Sequence, residues 1–454
     1  MRLNRLGFFA LGLACWGCLA LPEGPLPDAA HDAAGQDAAR DAARDAGPDA
    51  AAPDGGQVSD AAPDAGPPTC TAPTLELTSV LPAGALGAPQ VVDVGGDGVA
   101  DLLVPAPDQR AIYILHGHPC GLHHGRLEVV DTVQPAWAVL LTHMGDRERV
   151  LVALERVDES TWRIELYLPE PEGYQRDPTS TVPLPPLQVS HLPAQAPTLM
   201  APLDVDDRQP GGLVFGYFRE LWTLPSARGP ALAEGLRTLR REDGQFFEAV
   251  GLVGVASAEG GDALLVGEQT GYSLALNAGA GVLGPARSFA RGHNLKTYEA
   301  FDLDGDGRRD LVGAHVTEGG AARVFSTRLE ETDVVVDERV LPPLAGLTPG
   351  TGPLVWDLAV GQVSEVGPDV VVLAQGEFRA DPRLHIATRL RFGGVPETSL
   401  GVVAAIDLPR PGQAVVVGPF DATLPGDEVL VLEHETNDLA CWRWRVDRIE
   451  SCRW

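Results

Sequence analysis

Four aspartates lie close together in the segment Asp302-Leu-Asp-Gly-Asp-Gly-Arg-Arg-Asp310. They occupy positions 1, 3, 5 and 9 of a loop that has glycine at position 6, where a sharp turn is needed. Calcium takes six to eight oxygen ligands and accepts them from flexible loops. The side chains of Asp302, Asp304, Asp306 and Asp310, with the carbonyl of Arg308, therefore predict a Ca²⁺ site.

The residues after this loop exclude an EF-hand. That motif requires a bidentate glutamate at position 12, at the start of a helix, whereas position 12 of this loop is Gly313. Residues 311–316 are short and apolar, which is typical of a strand. The predicted ion therefore has a structural role, since it clamps a loop that leads into a strand.

A second loop, at residues 93–101, has the same frame with one ligand fewer. Asp93, Asp97 and Asp101 take positions 1, 5 and 9, and Gly95 stands where the third carboxylate would be. Three carboxylates, the carbonyl of Val99 at position 7 and water still suit Ca²⁺. This loop is therefore a second candidate for the ion.

The frame recurs five more times without its full ligand set, and each copy ends in an apolar strand. Position 9 falls at residues 101, 150, 212, 262, 310, 369 and 427, which are 48 to 62 residues apart. Each unit also contains other strand-like segments, such as 111–115, 162–167, 272–276 and 322–326. Units of about 50 residues with about four strands are typical of propeller blades. The sequence therefore predicts an all-β, seven-bladed β-propeller.

The frame D-x-D-x-D-G-x-x-D followed by Leu-Val resembles the calcium loop of FG-GAP/VCBS repeats. These repeats occur in the propellers of integrin α-subunits and in secreted bacterial proteins. Residues 302–310 match the frame fully, and residues 93–101 match it with one ligand lost. The resemblance covers about residues 75–440 and implies a calcium-stabilised propeller of the cell envelope. Fold analogy does not name a ligand.

The first 70 residues predict export and a spacer. Arg2 and Arg5 precede a short apolar run, so residues 1–20 have the layout of a secretory signal and are too short to span a membrane. Cys15 and Cys18 at the end of this run resemble the lipidated cysteine of a bacterial lipoprotein. The alternative is ordinary secretory cleavage near Ala20. Residues 21–70 are rich in Ala, Asp and Pro and predict a disordered tether, which leaves residues 71–454 for the propeller.

Four cysteines follow the signal: Cys70, Cys120, Cys441 and Cys452. An even number of cysteines in an exported protein predicts disulfides. Cys441 and Cys452 are close enough in sequence for a bridge within a hairpin, and Cys70 would then pair with Cys120. Three pairings are possible, and this one is favoured.

Three other patterns point to binding chemistry. A histidine cluster beside Cys120 suits zinc or copper, although its Gly/Pro-rich surroundings favour an exposed loop; its members are His116, His118, His123 and His124. Trp442 and Trp444 share one face of a strand, where burial is favoured over stacking on a sugar or partner. Residues 279–284 spell a dinucleotide fingerprint, but no amphipathic helix follows, which excludes that site.

A formal net charge of -29 argues against a nucleic acid partner, because phosphate binding requires clustered lysine and arginine. No nucleophile elbow, P-loop or H-E-x-x-H helix occurs in the sequence. We therefore expect a monomeric, non-enzymatic binding or adhesion module that recognises a protein or glycan, either lipid-anchored at the outer membrane or cell surface or secreted. Two alternatives stay open: a polysaccharide lyase or hydrolase that uses one propeller face, and a purely structural envelope subunit.

Overall fold

A computed structural model describes most of the chain from residue 77 onward, within the compact unit Ala65–Trp454. The described residues are 77, 80–185, 198–204, 211–217, 220–227, 229–247, 249–256, 261–268, 271–278, 282–290, 298–302, 309–316, 322–330, 333–340, 354–364, 368–375, 382–388, 401–421, 426–434, 436–445 and 448–452. The predicted signal at 1–20, the predicted tether at 21–70, and Cys15, Cys18 and Cys70 lie outside these residues.

Seven antiparallel sheets follow one another along the described chain, and each consists of consecutive strands. Six of the sheets have four strands, and we use the word blade for these six only. The first blade consists of β1 (Gln90–Val92), β2 (Asp101–Ala106), β3 (Ala111–His116) and β4 (Arg126–Asp131). The second consists of β10 (Thr198–Pro202), β11 (Gly212–Tyr217), β12 (Glu220–Pro225) and β13 (Arg237–Leu239). The third consists of β14 (Ala249–Ala256), β15 (Asp262–Glu268), β16 (Gly271–Ala275) and β17 (Arg287–Ala290). The fourth blade consists of β18 (Tyr298–Phe301), β19 (Asp310–Val316), β20 (Ala322–Glu330) and β21 (Asp333–Val340). The fifth consists of β22 (Leu354–Gly361), β23 (Asp369–Gln375), β24 (Arg383–Thr388) and β25 (Gly401–Asp407). The sixth consists of β26 (Gly412–Gly418), β27 (Glu428–Glu433), β28 (Leu439–Arg445) and β29 (Arg448–Ser451).

The remaining sheet has five strands: β5 (Ala136–Met144), β6 (Arg147–Arg156), β7 (Trp162–Glu170), β8 (Gly173–Arg176) and β9 (Val182–Pro183). The predicted blade count of seven is therefore wrong, because the four-stranded blade occurs six times in the described chain. The cause is the length of β7. The short strand β8 pairs only with its second half, which leaves Arg163 and Ile164 to pair with β9.

The second strand of a blade lies in the middle of the packing. Every residue of β2, β23 and β27 is buried. Such strands are covered by neighbouring sheets on both faces, so they read as continuous apolar runs rather than as alternating ones. The predicted repeat is confirmed at this level, since its anchors lie within or directly before the second strands of successive sheets.

Apolar clusters between neighbouring sheets close the ring. One cluster joins β2 to β6 through Leu103 and Leu151, and the next joins β6 to β11 through Leu154 and Phe215. Further clusters join β10–β13 to β14–β17, β14–β17 to β18–β21 and β22–β25 to β26–β29, and β18 and β19 contact β22 directly. The last blade returns to the first through Leu430 of β27 and Leu102 of β2. The predicted all-β propeller architecture is therefore confirmed.

Helix is scarce in the described chain. It comprises one short α-helix, α1 (Pro230–Glu234), and 3₁₀ turns at Pro107–Gln109 and Leu122–His124. Among the described residues, no helix has the length and apolar character needed to cross a bilayer.

Candidate functional site

The first strand of every sheet lines one central channel. Its volume is about 730 Å³, and its walls come from β1, β5, β10, β14, β18, β22 and β26. Small-molecule sites are typically concave, mostly apolar and about 300–1,000 Å³ in volume. The channel is therefore large enough to hold a small ligand or the side chain of a larger one.

Among the described residues, the charged side chains of the channel wall all belong to three consecutive blades. They are Glu299 of β18, Arg309 directly before β19, Asp357 of β22 and Asp427 directly before β27. The strands β5, β10 and β14 contribute mainly aliphatic side chains to the opposite arc. A ring of similar units thus encloses a channel whose described charged groups lie on one side.

Glu299 has the most perturbed carboxyl group of this set. Its side chain is accessible from the channel, yet the channel walls surround it. This enclosure raises the pKa of Glu299 to about 8; the charge of Asp357 raises the pKa further, and that of Arg309 opposes the shift. No hydrogen bond joins Glu299 to another described residue. Its carboxyl group therefore remains available to a ligand.

The other two carboxylates of the channel are held by backbone donors. An oxygen of Asp357 accepts the N–H of Val415 at 2.8 Å, across the boundary between β22 and β26. An oxygen of Asp427 accepts the N–H of Gln362 at 2.6 Å, and the N–H of Asp427 donates to the carbonyl of Gln362 at 2.7 Å. Burial raises the pKa of Asp427, and the bond from Gln362 opposes the shift. These contacts fix the two carboxylates while Glu299 stays unengaged among the described residues.

The predicted ion loop at 93–101 is fully described, and Asp93 turns its carboxylate onto the loop's own backbone. One oxygen accepts the N–H groups of Gly96 and, at 3.2 Å, Asp97, and the other accepts the N–H of Gly98 at 2.9 Å. Asp97 in turn accepts the N–H of Val99 at 3.0 Å. The loop is therefore closed by internal hydrogen bonds.

Asp101, at position 9 of the same loop, is buried and also accepts backbone donors. Its Oδ2 accepts the N–H groups of Val94 at 2.7 Å and Gly95 at 3.2 Å, and its Oδ1 accepts that of Gly117 at 2.6 Å. Burial raises the pKa of Asp101; these bonds and the nearby imidazole of His116 oppose the shift. Asp101 thus ties the loop before β2 to the end of β3.

A cation from the neighbouring sheet covers this loop. The guanidinium group of Arg149 donates to the carbonyl of Gly95 at 2.6 Å and lies directly against Gly96. The carboxylates of Asp93, Asp97 and Asp101 do not bring three oxygens within 4.8 Å of one another. The loop therefore fits Ca²⁺ poorly in this conformation, and the ion at this position stays a prediction.

The fully matched loop at 302–310 is described only at its ends. Asp302 directly follows β18 and is half-buried, and Asp310 is buried as the first residue of β19. The pairing of Phe301 with Asp310 brings these ends together. Asp304, Asp306 and Arg308 lie outside the described residues, so Ca²⁺ binding by this loop stays a prediction.

Other units keep the position-9 aspartate although they lack the rest of the ligand set. Asp369 is fully buried and accepts the N–H and, at 3.0 Å, the hydroxyl of Ser364 in its own blade. Asp262 accepts the N–H of Asp204, in the preceding blade, at 2.8 Å. Capture of backbone N–H groups is therefore a function of this aspartate that requires no metal ion.

Sequence reasoning missed a second series of acidic residues, at the far end of the second strands. Glu155, Glu268 and Glu433 are buried there, and each pairs in register with the first residue of its sheet. Each accepts an arginine: Arg163 at 2.8 Å, Arg241 at 2.8 Å and Arg410 at 3.0 Å. The signal in the sequence was a glutamate at or near the end of an apolar run.

The described cysteines form disulfides. Cys441 and Cys452 are bonded to each other, with their Cα atoms 5.2 Å apart. Cys120 is also disulfide-bonded, and its favoured partner Cys70 lies outside the described residues. The described chain places three candidate metal ligands within 4.8 Å only at Glu428, Cys441 and Cys452. Two of these are the oxidised pair, so this group is not a metal site as it stands.

The histidine cluster is half-buried, contrary to the expected exposed loop. His116 donates to Glu128 at 2.8 Å, and Nδ1 of His118 accepts the N–H of Cys120 at 3.1 Å. The ring centres of His123 and His124 are 4.0 Å apart. Within the described residues these imidazoles do not place three nitrogens within 4.8 Å of one another, so no preformed metal site is present among them.

Trp442 is buried in the cluster between the last two blades, whereas the side chain of Trp444 lies outside the described part of the molecule. Gly279–Gly281 of the excluded dinucleotide fingerprint also lie outside it. The indole of Trp442 therefore serves the core and is not available for stacking on a ligand.

Comparisons with known proteins are consistent with the fold and do not indicate a function. No protein-family model and no curated protein matches the chain. The Cps50 (Swd1) β-propeller domain of Myceliophteria thermophila is 12% identical, with a TM-score of 0.47, and the match covers 79% of this chain and 100% of that one. An Agrocybe aegerita lectin that recognises non-reducing terminal N-acetylglucosamine is 11% identical, with a TM-score of 0.42, and the match covers 80% of this chain and 86% of that one. Such distant likeness carries no argument about function, and the assignment of this chain to the β-propeller fold rests on its sheet order and ring closure.

Proposed function

We propose that this chain is an exported binding propeller that recognises a protein or glycan ligand through its central channel. The observation that carries the proposal is the one-sided channel, in which charged groups from three consecutive blades face an aliphatic arc. Binding sites combine apolar walls with a few polar groups that fix the orientation of the ligand. The lectin noted above belongs to the same fold class, but the proposal does not rest on it.

The test is a binding screen against immobilised glycans and envelope proteins, followed by occlusion of the channel. Glu299→Trp places a large side chain in the channel and is expected to abolish binding whatever the chemistry of the ligand. Glu159→Gln changes an exposed residue outside the channel and is expected to bind like the parent. Binding that survives Glu299→Trp in a folded protein would place the ligand elsewhere on the surface and contradict the proposal.

The resemblance to FG-GAP/VCBS repeats supports a second element of the proposal, a structural Ca²⁺ in the loop at 302–310. A ligand that binds only the folded state stabilises it, by about 2.7 kcal/mol at a hundredfold excess over its dissociation constant. We therefore expect a chelator to lower the melting temperature of the parent but not of Asp306→Ala. A full chelator effect in Asp306→Ala would overturn the assignment.

The same melts examine the loop at 93–101. Arg149 already supplies a positive charge there and the loop closes on itself, so we expect Asp97→Ala to keep the chelator effect of the parent. A reduced effect in Asp97→Ala would instead assign a second ion to this loop. Glu159→Gln serves as the charge control in both cases.

The proposal includes export and membrane anchoring, which the sequence alone supports. The signal-like residues 1–20 and the tether at 21–70 support a lipoprotein whose lipid is carried by Cys15 or Cys18. Labelling of cells with a radioactive fatty acid tests this assignment. We expect the label to be lost in one of the two variants Cys15→Ser and Cys18→Ser and kept in the other. Absence of label from the parent would refute lipidation and favour a secreted protein.

One observation favours a second candidate function, a polysaccharide lyase or hydrolase. Glu299 lines the channel and has a pKa raised to about 8, so it holds a proton at neutral pH, as a general acid must. A panel of polysaccharides separates the two functions. Turnover by the parent that is lost in Glu299→Gln would establish the enzyme and contradict a protein that only binds.

A further inference from the structure

An arginine of the five-stranded sheet meets the loop at 93–101 of the first blade. Nη1 of Arg149, in β6, donates to the carbonyl of Gly95 at 2.6 Å. The guanidinium group lies so close to Gly96 that a β-carbon at this position would overlap it. The backbone of Gly96 is left-handed, with a φ of 70°, which glycine adopts without strain. Glycine at position 96 thus leaves the space that the guanidinium group fills.

The backbone of Arg149 is itself held in an uncommon conformation. Its φ of 57° lies in the left-handed region, which residues other than glycine, asparagine and aspartate rarely adopt. The carbonyl of Arg149 accepts the hydroxyl of Tyr174, in β8 of the same sheet, at 3.0 Å. Such conformations persist where the surrounding contacts fix them. Arg149 is therefore fixed at its carbonyl by its own sheet and at its side chain by the loop.

Tyr174 makes a second connection to the first blade. Its N–H donates to Oε1 of Glu128 at 3.3 Å, and Oε2 of Glu128 lies 2.8 Å from Nε2 of His116. Nδ1 of His116 lies 3.8 Å from Oδ1 of Asp101, and Oδ2 of Asp101 accepts the N–H of Gly95 at 3.2 Å. The contacts thus return to the loop at which they began. We call this closed series the polar seam; its members are Gly95, Asp101, His116, Glu128, Arg149 and Tyr174.

The frame of this loop implies Ca²⁺, but its carboxylates are engaged by the backbone. Asp93 accepts three N–H groups of the loop, and Asp101 accepts three further N–H groups. These two residues and Asp97 do not bring three oxygens within 4.8 Å of one another, whereas Ca²⁺ takes six to eight oxygen ligands. Three neighbouring carboxylates still favour a positive charge nearby, and the guanidinium group of Arg149 supplies one beside Gly95.

We propose that Arg149 takes the place of a metal ion in the loop at 93–101, so that the joint between the first blade and the five-stranded sheet is closed without calcium. The inference does not depend on the proposed binding function. It distinguishes this loop from the one at 302–310, whose predicted ion belongs to another blade. Removal of calcium would then leave the polar seam intact.

Hydrogen exchange of the full chain tests whether an ion holds this loop. The measurement uses Asp306→Ala, so that the predicted ion at 302–310 does not contribute. We expect the amides of β2 to exchange at the same rate in calcium and in chelator, because the loop before this strand is held by Arg149. Protection of β2 by calcium in this variant would overturn the proposal.

Two matched glycine variants test the contact with the guanidinium group. Gly96 and Gly98 are both left-handed, with φ of 70° and 83°, so alanine strains the backbone at both positions. A β-carbon at position 98 meets no atom within 4 Å, whereas one at position 96 displaces the guanidinium group. We expect Gly96→Ala to raise the equilibrium constant for unfolding in urea about fivefold more than Gly98→Ala does.

The same pair in an Arg149→Asn background completes a double-mutant cycle. Asparagine tolerates the left-handed backbone of position 149 and carries no charge, so the guanidinium group is lost without additional strain. Gly96→Ala and Gly98→Ala should then lose equal stability, because no guanidinium group remains to be displaced. A difference that persists in this background would contradict the role of Arg149.

Arg149→Asn alone measures what the guanidinium group contributes. We expect it to raise the equilibrium constant for unfolding about fivefold and to speed the exchange of the loop amides. Arg147→Asn removes the same charge from an exposed residue of β6, two positions earlier, and is expected to match the parent. Equal stability of the two arginine variants would overturn the proposal, since the guanidinium group would then be dispensable.

Discussion

Asp101 illustrates how a single carboxylate organises a turn of this protein. Its two oxygens accept three backbone N–H groups, from Val94, Gly95 and Gly117. Buried backbone donors left without an acceptor are costly, about 1–3 kcal/mol each. The same residue type at the same position of the repeat, Asp369, accepts donors from Ser364. Loop closure by aspartate therefore explains why position 9 stays acidic in units that lack the other ion ligands, such as those of Asp262 and Asp369.

We expect Asp101→Ala to lower the free energy of unfolding by about 2–4 kcal/mol, because three N–H groups lose their acceptor. Asp97→Ala, in the same loop, removes a single part-buried bond from the N–H of Val99 and is expected to cost about 1 kcal/mol. Urea denaturation in the presence of a chelator gives both values without a contribution from any ion. Equal losses in the two variants would contradict the role assigned to Asp101.

Asp369 makes the stability of the protein depend on pH. Burial raises its pKa to about 6 in the folded state, above the ordinary value of 3.8, although bonds from Ser364 oppose the shift. Between these two values the folded state holds a proton that the unfolded state releases. The free energy of unfolding therefore falls as pH rises through this window, by about 1 kcal/mol per pH unit. Glu299, with its pKa raised to about 8, extends the decline to higher pH.

Asp369→Asn keeps an acceptor for Ser364 and removes the titration, so its stability is expected to change less between about pH 4 and about pH 6 than that of the parent. Urea unfolding at three pH values measures the difference. The opposite slope, with the parent gaining stability as pH rises through this window, would contradict the assigned pKa.

At the scale of the element, the sequence predicted the second strands well and the edge strands poorly. The second strands are continuous apolar runs because both of their faces are covered, and that pattern is visible in a sequence. Strand β9 is only two residues long and contains Pro183, so it has no periodicity to detect. Its pairing depends on the length of β7, which only the folded sheet reveals.

The disulfide between Cys441 and Cys452 stabilises the outer hairpin of the last blade, β28–β29. Closing a loop with a sequence separation of 11 removes about 3 kcal/mol of chain entropy from the unfolded state. We expect a reductant to lower the stability of the parent by at least this amount, because it also breaks the disulfide of Cys120. The double variant Cys441→Ser/Cys452→Ser should respond to the reductant less than the parent, by the contribution of this bridge. An equal response would assign the effect to the disulfide of Cys120.

At the scale of the molecule, the ring is closed where the start of the described chain meets its last blade. Asn437 donates to the carbonyls of Pro82 and, at 3.1 Å, Gly84, and the N–H of Leu439 donates to the carbonyl of Leu77 at 3.2 Å. Asn437 has a φ of 58°, a left-handed conformation that asparagine and glycine tolerate better than alanine. This residue therefore serves both the turn before β28 and the closure of the ring.

Two substitutions separate these contributions. Asn437→Gly loses the two side-chain hydrogen bonds but adopts the backbone conformation freely, and is expected to cost about 1–2 kcal/mol. Asn437→Ala adds backbone strain and is expected to cost about 1 kcal/mol more. Thermal or urea unfolding gives the ranking. Stability equal to that of the parent in both variants would show that closure depends on the apolar cluster alone.

The propeller as a whole was within reach of the sequence, because seven anchors at similar spacing describe a repeat. The channel was not. Glu299 and Asp357 belong to no sequence motif, and they are far apart in the sequence. Only closure of the ring brings them, with Arg309, to one wall of the channel. The number of regular blades was also beyond the pattern, since the anchor at Val150 does not reveal the additional strand of its sheet.

The contact between residues 77–86 and the last blade has a mechanical consequence. With the disulfide of Cys120 reduced, a pull transmitted along the chain toward Leu77 first loads the bonds from Leu439 and Asn437 to this segment, and only afterwards the first blade. These few bonds and the cluster around Leu102 and Leu430 thus form the joint at which tension would open the ring. The predicted bridge between Cys70 and Cys120 would instead carry the same pull directly into the first blade, so the redox state of Cys120 would determine whether this joint bears the force.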